Sequence, residues 1–191
     1  MTEPDYLADE EALFQATLAA LKEFAETHPH ETICSFAFDC NSDYGEVLLC
    51  LDTVEQSRQA ARQSEVRACD RRQKYGSDYD VSLHLLTMAR GTVCNNDVLP
   101  FGNNTGDFAY QGFAEVTFEA WADFTLDDEY PELPDGEEGD YLQCKAAILF
   151  GRVIDRLVAA NAFDGLQRAT PFLVGVGFHD GGQYVVRVLW A

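Results

Sequence analysis

Thr32-Ile33-Cys34-Ser35-Phe36-Ala37-Phe38 and Glu46-Val47-Leu48-Leu49-Cys50-Leu51 flank the polar run Asp39-Cys40-Asn41-Ser42-Asp43-Tyr44-Gly45. Two β-rich segments around a turn-rich one predict a hairpin, the clearest in the chain. Working outward, residues 4–27 read as an amphipathic helix. Pro4 suits a first turn, Asp5, Asp9, Glu10 and Glu11 favour its positive end, and Leu7, Phe14, Leu18, Leu21 and Ala25 recur at helical spacing. His28-Pro29 closes it. On the other side Thr53 starts a second helix over about residues 54–74, with Gln56 completing a capping box. Small residues (Val54, Ser57, Ala61, Ser64, Ala68) mark one side of that helix. Arg58, Arg62, Arg67, Arg71, Arg72 and Lys74 mark the other.

Further along, Val81–Ala89 is a short helix or strand, and Asn95–Gly106 is loop-like. Phe108–Phe124 is aromatic and predicts one or two strands. An acidic loop, expected to be mobile, spans about 125–140. Tyr141–Ala160 predicts a strong amphipathic helix with Leu142, Ala146, Leu149, Val153 and Leu157 on one stripe, ended by Asn161-Ala162-Phe163-Asp164-Gly165. A closing hairpin follows, Phe172–Phe178 and Gln183–Trp190, turning at His179-Asp180-Gly181-Gly182. In its first strand Phe172, Val174, Val176 and Phe178 share one face, and Gly175 and Gly177 the other. Helix, hairpin, helix, mixed middle, helix, hairpin predicts a single α+β domain over residues 1–191. Its expected architecture is a largely antiparallel central sheet with helices packed mainly on one face.

The chain has 191 residues, 33 Asp+Glu against 13 Lys+Arg, and a formal net charge of −20. Hydrophobic residues make up 47%, enough for a folded core. So acidic a surface repels nucleic acid and anionic lipid, so neither is expected as a partner. No apolar run reaches the ~18 residues a membrane helix needs. The acidic start Met1-Thr2-Glu3-Pro4-Asp5 is unlike a secretory signal, which points to the cytoplasm. Of six cysteines (Cys34, Cys40, Cys50, Cys69, Cys94, Cys144) none forms a Cys-x-x-Cys pair, so reduced, mostly buried thiols are expected and no zinc site.

The charge is uneven. Between Gly91 and Cys144 there is no Lys or Arg but there are 13 acids, whereas seven of the 13 cations lie between Arg58 and Arg90. A solvated acidic loop that aids solubility and a docking surface for a basic partner both fit this pattern. The docking reading selects Asp123, Asp127, Asp128, Glu129, Glu132, Asp135, Glu137, Glu138 and Asp140.

Other candidates fail on chemistry. Asp39-x-Asn41-x-Asp43 opens like a calcium loop, but glycine comes at the seventh position (Gly45) and Cys50 stands at the twelfth, where a bidentate Glu is needed. A hairpin turn accounts for it better. His179-Asp180 is a turn, and His84 reads as a core histidine. Cys69, among Arg67, Arg71 and Arg72, has an electropositive setting but no histidine nearby. No catalytic residue and no cofactor or metal site is selected, so the chain reads as non-enzymatic. Two alternatives stand beside this: an enzyme with a carboxylate or carboxylate–metal site in the aromatic middle, and a structural or regulatory module.

One pattern resembles a known family. A leading helix precedes Ile33-Cys34-Ser35-Phe36-Ala37-Phe38-Asp39 and a turn into Gly45-Glu46-Val47 and Asp52-Thr53. Later a helix runs into Ala160-Asn161-Ala162-Phe163, then Pro171-Phe172-Leu173-Val174-Gly175-Val176 and a charged turn. In these residues, at the two ends of the chain, the sequence resembles the bacterial family catalogued as domain of unknown function 4303. Trp121-Ala122-Asp123 is the nearest counterpart of that family's Arg-Trp-Ser-Pro-like element. The resemblance implies no catalytic residues. Small acidic bacterial proteins of this type are similar in character to immunity proteins, which neutralise a cognate toxin by occluding it. The expected partner is therefore a toxin or another basic protein.

Overall fold

The computed structural model of the protein describes residues 4–60, 62–63, 105–125, 138–178 and 183–190. The sequence features at residues 64–104, the loop 126–137 and the turn His179–Gly182 lie outside them, with Cys69, Cys94 and His84.

Helix α1 is Tyr6–Thr27, started by the Asp5 carboxylate, which accepts the Ala8 N–H at 3.2 Å. At its end the His28 N–H bonds the Phe24 carbonyl, and the His28 ring stacks on Phe24 at 4.3 Å. The predicted hairpin follows as β1 (Thr32–Asn41) and β2 (Glu46–Thr53), joined by a single 3₁₀ turn, Ser42–Tyr44. Gly45 ends that turn at φ 65°, where its missing Cβ lets the Phe118 carbonyl lie against it. Thr53 caps a helical run over residues 54–60 by accepting the Gln56 N–H at 3.1 Å. The capping box is half made. The Gln56 amide reaches the Asp107 carbonyl instead, and the Thr53 N–H goes to Asp52.

The aromatic middle gives one strand, β3 (Tyr110–Thr117), and then a short helix, α2 (Glu119–Thr125), in place of a second strand. Phe118 and Trp121 recur at helical spacing there, so the alternation of period two ends at Thr117. Helix α3 spans Glu138–Ala159, and Asn161 closes the segment in the left-handed region at φ 55°. The chain finishes with β4 (Gln167–Phe178) and β5 (Gln183–Leu189).

The five strands of the described sheet run in the order β3-β2-β1-β4-β5. Three pairs are antiparallel, and the central pair, β1 with β4, is parallel. The fold is α+β with a mixed, mostly antiparallel sheet. Register places Phe36, Phe38 and Cys40 beside Leu51, Leu49 and Val47 on one side and Val174, Val176 and Phe178 on the other. That face shares its core with Leu13, Leu21 and Phe24 of α1 and with Ala146, Leu149, Phe150, Val153, Ile154 and Leu157 of α3. Of the predicted α3 stripe, Ala146, Leu149, Val153 and Leu157 lie in this core. Of the predicted α1 stripe, Leu21 is buried, Phe14, Leu18 and Ala25 pack half-buried against the core, and Leu7 is 67% exposed, while Glu10, Leu13, Thr17 and Phe24 are buried beside them. Two polar residues enter the stripe because both are satisfied there, Thr17 by donating to the Leu13 carbonyl at 2.7 Å and Glu10 by two arginines of α3.

The opposite face carries Ser35, Ala37, Asp39, Cys50, Asp52, Gly175 and Gly177. Phe108 packs there against Ala37 and Cys50. A Cβ on Gly177 would come within 3.4 Å of Thr105, the close approach for which a glycine in mid-strand is suited.

Candidate partner-binding surface

The acidic stretch leaves the sheet through α2 and re-enters the core through α3, and both ends are held. Trp121 of α2 is fully buried, stacks on Phe118 at 4.8 Å and lies 6.3 Å from both Tyr6 and Phe150. Its indole N–H donates to the Asp9 carboxylate of α1 at 2.8 Å. The Phe118 N–H donates to the Gly45 carbonyl at 2.8 Å, so α2 is tied to the first hairpin as well. Burial lifts the Asp9 carboxyl above its ordinary value, the Trp121 hydrogen bond opposes that shift, and Asp5 adds to it.

Of the nine acids selected from sequence, Asp123 falls on α2, Glu138 opens α3 and Asp140 lies in its first turn. Asp127, Asp128, Glu129, Glu132, Asp135 and Glu137 lie outside the described residues.

Four arginines among the described residues pair with acids outside the Gly91–Cys144 stretch. Arg152 Nε lies 2.8 Å from Glu10, and Arg156 bonds Glu10 at 3.1 Å and Glu11 at 2.5 Å. Arg187 bonds Asp155 at 2.6 Å, and Arg168 bonds Asp164 at 2.9 Å. None of these four arginines pairs with an acid of the Gly91–Cys144 stretch in those contacts. Lys145 Nζ stands 5.5 Å from the Tyr6 ring centre, and the Arg156 guanidinium 4.1 Å from that of Phe14. Tyr6, Glu10 and Phe14 therefore meet Lys145, Arg152 and Arg156 in the same order, so α1 and α3 run parallel.

The remaining candidates sit in structural settings. Asp39 of the calcium-like run accepts a hydrogen bond from the Thr105 hydroxyl at 2.5 Å; Asp39, Cys40 and Asn41 finish β1, and the turn itself begins at Ser42. Among the described residues no group of three or more His, Cys, Asp or Glu side chains is placed to hold a metal. Cys34, Cys40 and Cys50 are buried, but Cys144 is exposed, which departs from its apolar sequence neighbourhood because it lies on the outer side of α3. Burial pushes the Cys34 thiol far above its ordinary value, with Asp52 adding to the shift. It pushes Cys50 up to about 11, against a lowering hydrogen bond from the Gly112 N–H. Neither is poised as a nucleophile.

Sequence reasoning marked Trp121 as aromatic but missed it as an anchor. The Phe118–Trp121 spacing was the available signal; its partner Asp9, 112 positions away, left none. No helix among the described residues is long and apolar enough to cross a membrane. Compared with known proteins, the chain matches no family model, no curated protein and no solved structure.

Proposed function

We propose that the protein is a non-enzymatic bacterial binding protein, an immunity protein that occludes a basic toxin through the acidic surface formed by Asp123, Asp127, Asp128, Glu129, Glu132, Asp135, Glu137, Glu138 and Asp140. The observation that carries this reading is the pairing pattern. The cation-free stretch supplies 13 acids, while Arg152, Arg156, Arg168 and Arg187 are spent on Glu10, Glu11, Asp164 and Asp155. A negative field left in place steers a basic partner and disfavours others. The buried Trp121 and the α3 core hold the elements on either side of residues 126–137.

In this reading the protein works in the cytoplasm and belongs with the domain of unknown function 4303 family. Its helices lie mainly on the Phe36–Phe38 face of the sheet. The test is coexpression with the product of the adjacent open reading frame, followed by affinity measurements across a salt series. Charge reversal at Asp127, Asp128, Glu129, Glu137 and Glu138 is expected to weaken binding by about ten-fold or more and to flatten its salt dependence. Unchanged affinity in the reversed protein would reject the surface.

A further inference from the structure

The two outer strands of the described sheet are finished differently. Strand β3 is blunted: Gly112 bends it at φ 58°, its register with β2 slips between Leu49 and Leu51, and Glu115 stands exposed along it. These are the devices by which proteins keep sheet edges from pairing with other chains. Strand β5 has one of them, a bulge at Val186 where the register with β4 shifts. Residues 183–190 contain no acid, and their one cation is Arg187. That arginine is no guard, because its guanidinium is drawn to Asp155 of α3 and to the Val186 carbonyl. Val185, Val186, Val188 and Leu189 are all only half-buried, and Trp190 is 67% exposed at the strand's end.

We propose that β5 is a self-association edge, at which a second copy of this chain adds its own β5 antiparallel to extend the sheet across a two-fold axis. Charge selects the occupant. After Asp164 the chain holds one acid, Asp180, against Arg168 and Arg187, so this hairpin carries a net charge of +1 in a protein of charge −20. Two copies meet there with little charge on the facing strands. A basic partner finds no attraction at this edge. A two-fold contact closes on itself and leaves neither β5 open. The bulge shortens the strand available on either side of Val186, so the dimer is weak and concentration-dependent.

The test is sedimentation equilibrium of the full chain over a concentration series at low and high salt. The expected mass rises from one chain toward two with concentration, and does so sooner at high salt, which screens repulsion. Trp190→Lys and Val188→Lys each place a gatekeeper charge on the edge and should weaken association about ten-fold or more. Their circular dichroism and melting should match wild type. Leu7→Lys, on an exposed site of α1, should leave association unchanged. Iodide quenching gives a second readout that needs no variant. Trp121 is fully buried, so quenching reports Trp190 and should fall as concentration rises. A monomer at every concentration, association insensitive to both β5 variants, loss confined to Leu7→Lys, or quenching that does not change would each overturn the proposal.

Discussion

Asp9 and Glu11 stand two residues apart on α1 and respond to pH in opposite senses. Burial raises the folded-state carboxyl of Asp9 above 3.8, so folding takes up a proton there, and stability falls as pH rises through that window. Hydrogen bonds from Arg156 and then Gln15 lower the Glu11 carboxyl below 4.5. Its contribution is present above 4.5 and is lost as pH falls through the lower, folded value. Asp9→Asn keeps an acceptor for the Trp121 N–H and removes the charge. The melting temperature of that variant minus wild type should grow as pH rises from below 3.8 to neutrality. If the difference shrinks instead, the indole stabilises the carboxylate by more than burial opposes it. None of this was legible along the chain, because an acid in a first helical turn looks the same whether it faces water or a buried tryptophan.

At the scale of elements, the parallel pairing of α1 with α3 rests on Glu10, whose side chain is 10% exposed between Arg152 and Arg156. Removing it takes the buried acceptor from Arg152 and leaves Arg156 with Glu11 alone, at a cost of about 1–3 kcal/mol. Glu11→Ala, at an exposed site, should cost distinctly less. Urea unfolding of the two variants compares them, and equal losses would mean that Glu10 is no more desolvated than its neighbour. Both hairpins and the α3 stripe could be read from sequence because strand, turn and strand are contiguous and α3 buries only apolar residues. The α1 face could be read only in part, since beside Phe14, Leu18, Leu21 and Ala25 it hides Glu10 and Thr17 while leaving Leu7 outside, and what satisfies Glu10 lies more than 140 positions away. The candidate surface was legible as charge alone. Its anchors, Gly45 against Phe118 and Trp121 on Asp9, are contacts between distant segments that no local pattern encodes.

For the whole molecule, 20 excess negative charges mean that self-repulsion opposes the compact state. Raising ionic strength from about 0.01 to 0.15 M shortens the screening length from about 30 to about 8 Å and should raise the melting temperature. A fall would show that the ion pairs of α3 outweigh the repulsion. The antiparallel neighbours in the sheet that are joined by tight turns follow from sequence order, but the parallel β1–β4 pair does not, because no turn connects them. That pair also sets an order of assembly. β1 at residues 32–41 is completed on its inner side only by β4 at residues 167–178. At about 5–20 residues per second of synthesis, the first hairpin waits on the order of 10 s for its central partner. Until then Phe36 and Phe38 have neither β4 beside them nor α3 above them, and the nascent chain carries an open apolar edge. The sheet is thus finished from its middle, late, and chaperone protection is needed most before its last strands are made.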